Sequence, residues 1–339
     1  MPNKKKIRVA LLYSRVTPKR SKDPEMVDRD SNNFVKSIRN VLKRLGYPVR
    51  DFMVNLDLFE ELRKERKNID IIFNLCDDGF FDNSQLEPHV ASMLDVLGLK
   101  YTGSDYKALA LRLNKDLTNR VLSAYGIPTP RFQVFSSGNE PIDKRLKFPL
   151  IVKPVHEDAS IGISNDSVVD SEKKLRERVR FVIKKYKQPA LVEMYINGRE
   201  INVAILGNDK LEVLPPSEIM FDELPKGLHH ILSYAAKWKI KSVFYKKTPP
   251  KCPAEIESKL KAKIIKIATA AYKIVGARGY GRVDFRVDKN NKPYVLEVNL
   301  NPDLSEDAGM TNNARAAGYS YDQLIEKILG YGLNRKAQP

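Results

Sequence analysis

The chain has 339 residues, of which 42% are hydrophobic and 30% are charged, and its formal net charge is +17. This length predicts two or three domains, and the composition is that of an ordinary globular protein with enough apolar residues for real cores. No apolar run approaches the roughly 20 residues that a membrane-spanning helix needs, so we expect no membrane partner. The basic residues are scattered and no aromatic residues are interleaved with them, which does not favour nucleic acid as a partner.

The cysteines and the N-terminus indicate a cytoplasmic protein. Cys76 and Cys252 are far apart in the chain and fit no metal-ligand spacing, so we expect two reduced thiols. The first residues are basic, but the apolar stretch that follows them is short and is interrupted by Arg8 and Arg15. It therefore predicts a first strand and not a signal peptide.

The first hundred residues alternate between strand and helix patterns. Short apolar runs predict strands, and apolar residues at helical spacing predict the helices between them. Such alternation implies a parallel sheet with crossover helices, so we expect an open α/β domain over residues 1–104. The strands are predicted at residues 7–14, 47–54 and 69–76, and the helices at 31–46 and 86–98.

A second unit of helix and strand patterns starts at about Tyr106. It begins with one continuous helical stretch over residues 107–126, and a strong strand and a small-residue loop, EDASIGIS, follow it. Residues 189–208 contain two strands separated by Asn197 and Gly198, a pair of residues that is typical of a hairpin turn.

The stretch PYVLEVNLNPDLS, residues 293–305, reads as a buried strand that nevertheless carries Glu297 and Asn299. Successive side chains of a strand point to opposite faces, so Glu297 and Asn299 share one face while Leu296 and Val298 share the other. Burying a carboxylate without a partner is costly. We therefore expect a partner for Glu297.

A strand at residues 280–288 precedes this one, and the two predict a hairpin that turns near residues 289–292. Asp284 then lies roughly opposite Glu297, and Arg282 shares the face of Asp284. Two carboxylates and an amide are hard oxygen ligands that suit Mg²⁺, which completes its octahedron with phosphate oxygens and water. An ion-paired surface hairpin is the alternative, but the apolar residues of both strands require one buried face.

Three lysines and a loop upstream could meet an anionic ligand. Lys115, Lys153 and Lys237 are single cations of the kind that more often lies on a surface, and the loop around Ser160 and Gly162 could offer backbone N–H groups to phosphate oxygens. Neither a P-loop nor a GxGxxG motif is present. The order of these lysines and of the loop along the chain, together with the terminal hairpin, favours a nucleotide site.

That order resembles the ATP-grasp superfamily, and within it the D-alanine–D-alanine ligase-like family. The resemblance covers almost the whole chain, and its motifs are collinear. It implies an α/β fold of three domains, at residues 1–104, 105–192 and 193–335, with ATP bound between the central and C-terminal ones. The matching stretches are LGLKYTGSD (97–105), LNKDLTNRVLSAYGIPTPRF (113–132), FPLIVKPVHEDASIGIS (148–164), LVEMYINGREINVAIL (191–206), SYAAKW (233–238), GYGRVDFRVD (279–288) and PYVLEVNLNP (293–302).

The resemblance also implies a role for each matching residue. The nucleotide phosphates would contact Lys115, Lys153 and the loop around Ser160, and the transferred phosphate would contact Lys237. Backbone groups of Glu193, Tyr195 and Ile196 would bind the adenine. Glu200 would bind the ribose hydroxyls. Two Mg²⁺ ions, for which Mn²⁺ could substitute, would be bound by Asp284, Glu297 and Asn299. Arg282 would steady an acyl phosphate and the tetrahedral intermediate that follows it.

The residues that would bind the amino acids depart from the family pattern. The N-terminal stretch LLYSRVTPKRSKDPEMVDRD lacks the family's glycines, and no glutamate aligns in it. Ala159 and Trp238 stand where the family has serine and tyrosine, and Asp303 stands where it has glycine. Ala308 replaces a serine that grips the second substrate's carboxylate. Glu87, Trp238 and Asp303 are the substrate-site candidates that remain.

The resemblance implies an ATP-dependent, ADP-forming ligase that joins an amino acid or a similar carboxylate to an amine, and the departures bear on the acceptor. Asp303, Glu306 and Asp307 add negative charge where a carboxylate would bind, which favours a cationic or amide-capped amine as acceptor. A genuine D-alanine–D-alanine ligase is the alternative. A non-catalytic nucleotide-binding module with a basic surface for nucleic acid comes third. The family resemblance also makes a homodimer possible.

Overall fold

Three β-sheets organise the computed structural model, which describes residues 7–14 and 31–335. The first sheet is parallel, and its central strand is paired on both sides and buried almost throughout, as parallel sheets require. The predicted strand–helix alternation is therefore confirmed, while the N-terminal loop over residues 15–30 lies outside the described residues. The elements are β1 (Val9–Tyr13), α1 (Ser31–Arg44), β2 (Val49–Met53), α2 (Leu58–Glu65), β3 (Ile71–Leu75) and α3 (Glu87–Val96).

The helical stretch that follows is two helices, α4 (Tyr106–Arg112) and α5 (Lys115–Ala124), and the prediction of one continuous helix was wrong. The break has a local cause, because the Asn114 side chain accepts a hydrogen bond from the Leu117 backbone N–H at 3.0 Å and so begins a new helix. Lys115 consequently occupies the first turn of α5 and not the middle of a helix.

The second sheet is antiparallel and has an apolar core of its own. Its strand order is β4-β7-β5-β6, and helix α6 packs against it. All buried residues of this core come from positions 135–192. The elements are β4 (Phe132–Phe135), β5 (Leu150–Pro154), β6 (Val168–Val169), α6 (Glu172–Tyr186) and β7 (Ala190–Met194).

The third sheet has six strands and carries the predicted terminal hairpin. Its order is β11-β10-β8-β12-β13, and β9 pairs with β8. Helix α9 packs against β8, β12 and β13. The elements are β8 (Gly198–Gly207), β9 (Leu211–Val213), β10 (Ser217–Ile219), α7 (Tyr234–Trp238), α8 (Val243–Lys247), β11 (Pro250–Lys251), α9 (Ser258–Ile274), β12 (Tyr280–Asp288), β13 (Pro293–Leu300), α10 (Gly309–Ala316) and α11 (Tyr321–Leu333).

The hairpin predicted around Asn197 and Gly198 was wrong. Strand β7 is already paired on both sides, with β4 and β5, so it has no free edge for β8. Strand β8 pairs instead with β10 and β12 in the third sheet. Residues 195–197 therefore cross from one sheet to the next, and the two sheets face each other across this crossing.

The first and third sheets share apolar cores, since buried residues of β1 and β8 belong to one cluster. Helix α11 returns from the C-terminal part to pack on α1 and β3. The division at residues 104 and 192 stays a proposal, and β7 crosses the second of these boundaries. Within the described residues, no helix is long and apolar enough to cross a membrane.

Candidate active site

An open cleft of about 870 Å³ lies between the second sheet and the terminal hairpin of the third. Strands β5 and β7 form one wall, and strands β12 and β13 form the other. Residues 195–197, which cross between the two sheets, join the walls. The structure thus brings most of the predicted nucleotide and metal residues into one site. Those that line the cleft are Lys115, Lys153, Ser160, Glu193, Tyr195, Ile196, Glu200, Lys237, Asp284 and Glu297.

Two of the lysines are buried and held by carboxylates. The Lys153 ammonium contacts the Glu193 carboxylate at 2.5 Å, and the Lys115 ammonium contacts that of Asp158 at 3.2 Å. Lys115 also donates to the Glu157 carbonyl. An ammonium group has three donors, so each lysine keeps hydrogen-bonding capacity for a further anion. The Glu193 side chain is engaged by this ion pair and by the Asn119 amide, which donates to it at 2.8 Å.

The terminal hairpin has the predicted register. Asp284 pairs directly with Glu297, and Arg282 pairs with Asn299. The Asn299 amide donates to Asp284 Oδ2 at 2.8 Å and to Glu297 Oε1 at 3.1 Å, so the three proposed metal ligands meet. Asn299 itself lines a smaller cavity that adjoins the cleft and shares Glu297 with it.

A β-bulge in this hairpin corrects one detail of the prediction. The pairing shifts between Asp284 and Phe285, whose partners are Glu297 and Val295, so Leu296 is the extra residue. Leu296 was expected on the opposite face from Glu297, yet it lines the same cleft. A bulge lets two neighbouring residues of one strand oppose a single residue of the other, which breaks the simple alternation.

The charges of the hairpin are compensated within the site. Arg282 holds Asp284 in a two-point contact, from Nε to Oδ1 at 2.7 Å and from Nη2 to Oδ2 at 2.8 Å. Burial by itself raises the pKa of Glu297, but the positive charges of Lys115 and Lys237 outweigh burial and lower it to about 2. Glu297 is therefore ionised at neutral pH, and Lys237 lies close enough to influence it.

Arg286 is a site residue that the sequence reasoning missed. It is buried, and its guanidinium contacts the Glu200 carboxylate at 3.1 Å and donates to the Gly198 and His230 carbonyls. It lines the cleft beside Glu200. Burial raises the pKa of Glu200, and the Arg286 charge opposes that rise. Its position two residues after Asp284, at period-2 spacing, was the signal that could have found it.

Arg112 and Asp158 were also missed, and they explain where Glu87 lies. The Arg112 guanidinium donates to the buried Glu87 carboxylate and, at 2.5 Å, to Asp158. The Asn301 amide donates to the other Glu87 oxygen at 3.2 Å. Glu87 is thus one member of a buried network that reaches the Lys115 ammonium through Asp158. No spacing pattern in the sequence marks Arg112 for this position.

The side chains of Ser160, Trp238 and Asp303 are each hydrogen-bonded within the protein. The Ser160 hydroxyl donates to the Leu232 carbonyl at 2.7 Å, so its proton is already engaged within the protein. The Trp238 indole N–H donates to the Ala159 carbonyl at 2.9 Å. The exposed Asp303 carboxylate accepts from the Ser305 backbone and hydroxyl at 2.8 and 2.6 Å, which closes a turn.

The metal-binding capacity of the site depends on the hairpin. Among the residues that the structure describes, no group of three or more His, Cys, Asp or Glu side chains is arranged to hold a metal ion. The hairpin brings together two carboxylates and one amide, and these are oxygen ligands of the type that Mg²⁺ prefers. The arrangement fits a cation only if phosphate oxygens and water supply the remaining ligands.

The chain is similar to known ligases over most of its length. A family model described as D-ala D-ala ligase C-terminus matches residues 121–330. A D-alanine–D-alanine ligase of Carboxydothermus hydrogenoformans is 33% identical over 310 residues, which are 88% of this chain and 91% of the relative. Protein y4sG of Sinorhizobium fredii is 38% identical over 259 residues, 76% of this chain and 73% of the relative.

A solved structure agrees with the fold. The crystal structure of a D-alanine–D-alanine ligase from Bacillus anthracis complexed with ATP superimposes with a TM-score of 0.71 at 22% identity, covering 96% of this chain and 97% of that one. The α/β ATP-grasp fold expected from the sequence is confirmed by this likeness. Together with the family model, it leads to one conclusion: the chain belongs to the D-alanine–D-alanine ligase family.

Proposed function

We propose that the chain is an ATP-dependent, ADP-forming ligase that joins a carboxylate to an amine through an acyl phosphate. The observation that carries this proposal is the cleft in which three lysines face Asp284 and Glu297. Binding alone does not require such a set, whereas transfer of a phosphoryl group requires that its charge be positioned and neutralised.

In this proposal Lys115 and Lys153 bind the nucleotide phosphates, and Lys237 binds the transferred one. The base lies against the crossing segment, where Tyr195 and Ile196 line the cleft. The Tyr195 N–H already donates to the Pro149 carbonyl at 3.1 Å, so Tyr195 offers its carbonyl to the base. Glu200, fixed by Arg286, accepts hydrogen bonds from the ribose hydroxyls.

Asp284, Glu297 and Asn299 fit two Mg²⁺ ions, or Mn²⁺ in their place, because their side chains already meet within hydrogen-bonding distance. When bound there, the ions supply charge neutralisation for the transferring phosphoryl group. The low pKa of Glu297 keeps that carboxylate ionised as a ligand.

Arg282 is proposed to steady the reacting oxygens. Its two-point contact with Asp284 uses Nε and Nη2 and fixes the plane of the guanidinium. The remaining Nη1 points towards the start of α10, 3.6 Å from where a Cβ on Gly309 would lie. An acyl phosphate that reaches this point meets a preorganised positive donor. The segment with Ile231, Leu232 and Lys237, which line the cleft, would protect that intermediate from water.

We further propose that the acceptor is an amine without a free carboxylate beside it. The segment between β13 and α10 exposes the carboxylates of Asp303, Glu306 and Asp307, and it leads to Gly309, beside the Arg282 guanidinium. Negative charge gathered at this end of the site disfavours a second carboxylate and favours a cationic or amide-capped amine. A genuine D-alanine–D-alanine ligase is the competing candidate, which the name and 91% coverage of the Carboxydothermus relative favour.

A pairwise screen of amino acids, dipeptides and amines with ADP detection tests the proposal, with Glu297→Gln as the blank. We expect ADP release with a carboxylate–amine pair, and a lower rate with D-alanine alone. Efficient turnover of D-alanine alone would overturn the acceptor proposal and support the competing candidate. Tight binding of RNA or DNA with no ADP formed from any pair would overturn the ligase proposal. Sedimentation of the same protein tests the expected homodimer.

A further inference from the structure

The segment that forms the roof of the cleft is tied to the phosphate loop at three points. We use "roof" for residues 229–238 and "phosphate loop" for residues 157–164. The Ser160 hydroxyl donates to the Leu232 carbonyl at 2.7 Å, and the Tyr234 N–H donates to the Ile163 carbonyl at 3.1 Å. The third tie is the Trp238 indole, which donates to the Ala159 carbonyl at 2.9 Å.

These ties are distributed unequally along helix α7. Two of them act at its beginning, at Leu232 and Tyr234, whereas Trp238 is its last residue. A helix of five residues has almost no stability of its own, so its direction is set by the contacts at its two ends. Without the Trp238 bond, the far end, roughly 6 Å from Tyr234 along the axis, would keep its contacts with α8 but lose its direct bond to the phosphate loop.

The residue at that far end is Lys237. It lines the cleft together with Lys153 and Glu297, so its side chain faces the site where phosphates are proposed to bind. Lys237 and Trp238 are neighbours in one helical turn. Fixing the indole therefore fixes the direction from which the Lys237 side chain enters the cleft.

The acceptor of the bond is held in an uncommon conformation. Ala159 and Ser160 both have positive φ angles, 52° and 62°, in a region that non-glycine residues rarely adopt. Two successive left-handed residues cost conformational energy and persist only where the surroundings fix them. Here they direct the Ala159 carbonyl to Trp238 and the Ser160 hydroxyl to Leu232, so the loop's shape serves both ties.

We propose that Trp238 is a positioning residue, which holds Lys237 over the terminal phosphate of the nucleotide through its hydrogen bond to the Ala159 carbonyl. This role rests on the proposed function and goes beyond it. The acceptor is a backbone atom, so the tie between roof and phosphate loop needs no particular side chain at position 159.

The test measures the preference of the cleft for a terminal phosphate, which requires no turnover. Calorimetric titration with Mg·ATPγS and with Mg·ADP gives two dissociation constants. The ratio of the Mg·ADP constant to the Mg·ATPγS constant reports the contacts made to the third phosphate. We expect Lys237→Ala to lower that ratio about tenfold or more, as loss of a charge-assisted hydrogen bond should. Trp238→Phe keeps a ring but removes the N–H, and we expect it to lower the ratio to a similar extent while leaving the Mg·ADP constant within about twofold.

The double variant separates positioning from a merely structural effect. If Trp238 acts through Lys237, Trp238→Phe lowers the ratio no further in the Lys237→Ala background. Lys241→Gln, an exposed change three residues beyond Trp238, serves as the control and should leave the ratio unchanged. The Mg·ADP constant also shows that each variant is folded.

The proposal is overturned if Trp238→Phe keeps the wild-type ratio, or if its effect is as large without Lys237 as with it. Failure of the wild-type protein to bind either nucleotide would instead overturn the proposed function.

Discussion

Asp284 and Glu297 stand directly opposite each other on the terminal hairpin, and the Asn299 amide bridges them. Two carboxylates so close together repel each other unless cations compensate them. Arg282 does so for Asp284, and Lys115 and Lys237 do so for Glu297. Neighbouring cations therefore compensate both carboxylates of the hairpin, and the proposed chemistry depends on this arrangement.

Removing either carboxylate should abolish most of the activity. We expect Asp284→Asn and Glu297→Gln each to lower kcat roughly 100-fold or more, because each removes preorganised charge where the phosphoryl group transfers. ADP release at saturating ATP and Mg²⁺ measures this. Asp288→Asn, at the far end of the same strand and in the hairpin turn, is the control, and a comparable loss there would contradict the assignment.

Lys153 should matter for nucleotide affinity and also for stability, because its loss leaves the buried Glu193 carboxylate without its cation. We expect Lys153→Met to raise the dissociation constant of Mg·ATP about 10- to 100-fold, the range for loss of a charge-assisted hydrogen bond. Calorimetry measures this constant directly. Lys147→Met lies just before the same strand but is exposed, and it should bind like the wild-type protein. Equal effects of the two changes would show that only the overall basic charge counts.

The Arg112 network should matter for stability. Arg112→Met leaves the buried Glu87 carboxylate without its cation, and we expect a loss of about 3–5 kcal/mol in the free energy of unfolding. Urea unfolding measures this loss. Adding Glu87→Gln removes the stranded charge, so the double variant should be more stable than Arg112→Met alone. A double variant that loses more would contradict this account of Glu87.

Glu140 should make the free energy of unfolding depend on pH. Its carboxylate accepts hydrogen bonds from the backbone N–H groups of Ser136, Ser137 and Gly138 at 2.6 to 2.8 Å. Burial opposes ionisation, but these bonds together outweigh it and lower the pKa of Glu140 from 4.5 to about 2. A group whose folded pKa is lowered stabilises the protein fully above its unfolded value.

That contribution is therefore present above about pH 4.5 and is lost as the pH falls towards 2. We expect Glu140→Gln to cost about 1 kcal/mol at neutral pH, a figure reduced for solvent screening, and to cost progressively less in acid. Unfolding midpoints of both proteins across this range provide the measurement. A constant difference at every pH would show that the carboxylate charge is not involved.

The hairpin could be predicted from the sequence because alternation and turn position fix a strand's register. Asp284 and Glu297 are opposed as that reasoning required, and only the bulge at Leu296 escaped it. Bulges depend on local packing and have no reliable pattern. The fold class was equally accessible, because strand–helix alternation and collinear motifs extend over the whole chain.

What could not be predicted depends on partners distant in sequence. Arg112 lies in an ordinary helical stretch, and only the folded chain shows that Glu87 and Asp158 surround it. The Asn197–Gly198 turn has hairpin chemistry, yet pairing of β7 on both edges sends the chain to another sheet. Trp238 stands where the family has tyrosine, but its bond to Ala159 requires the loop's left-handed backbone.

The most direct measurement of the central claim is a crystal structure with ATPγS and Mn²⁺, recorded with anomalous scattering at the manganese edge. We predict anomalous peaks bonded to Asp284, Glu297 and Asn299, with the phosphates between Lys115 and Lys153. Nucleotide bound elsewhere, or nucleotide in the cleft with no manganese at the hairpin, would contradict the account.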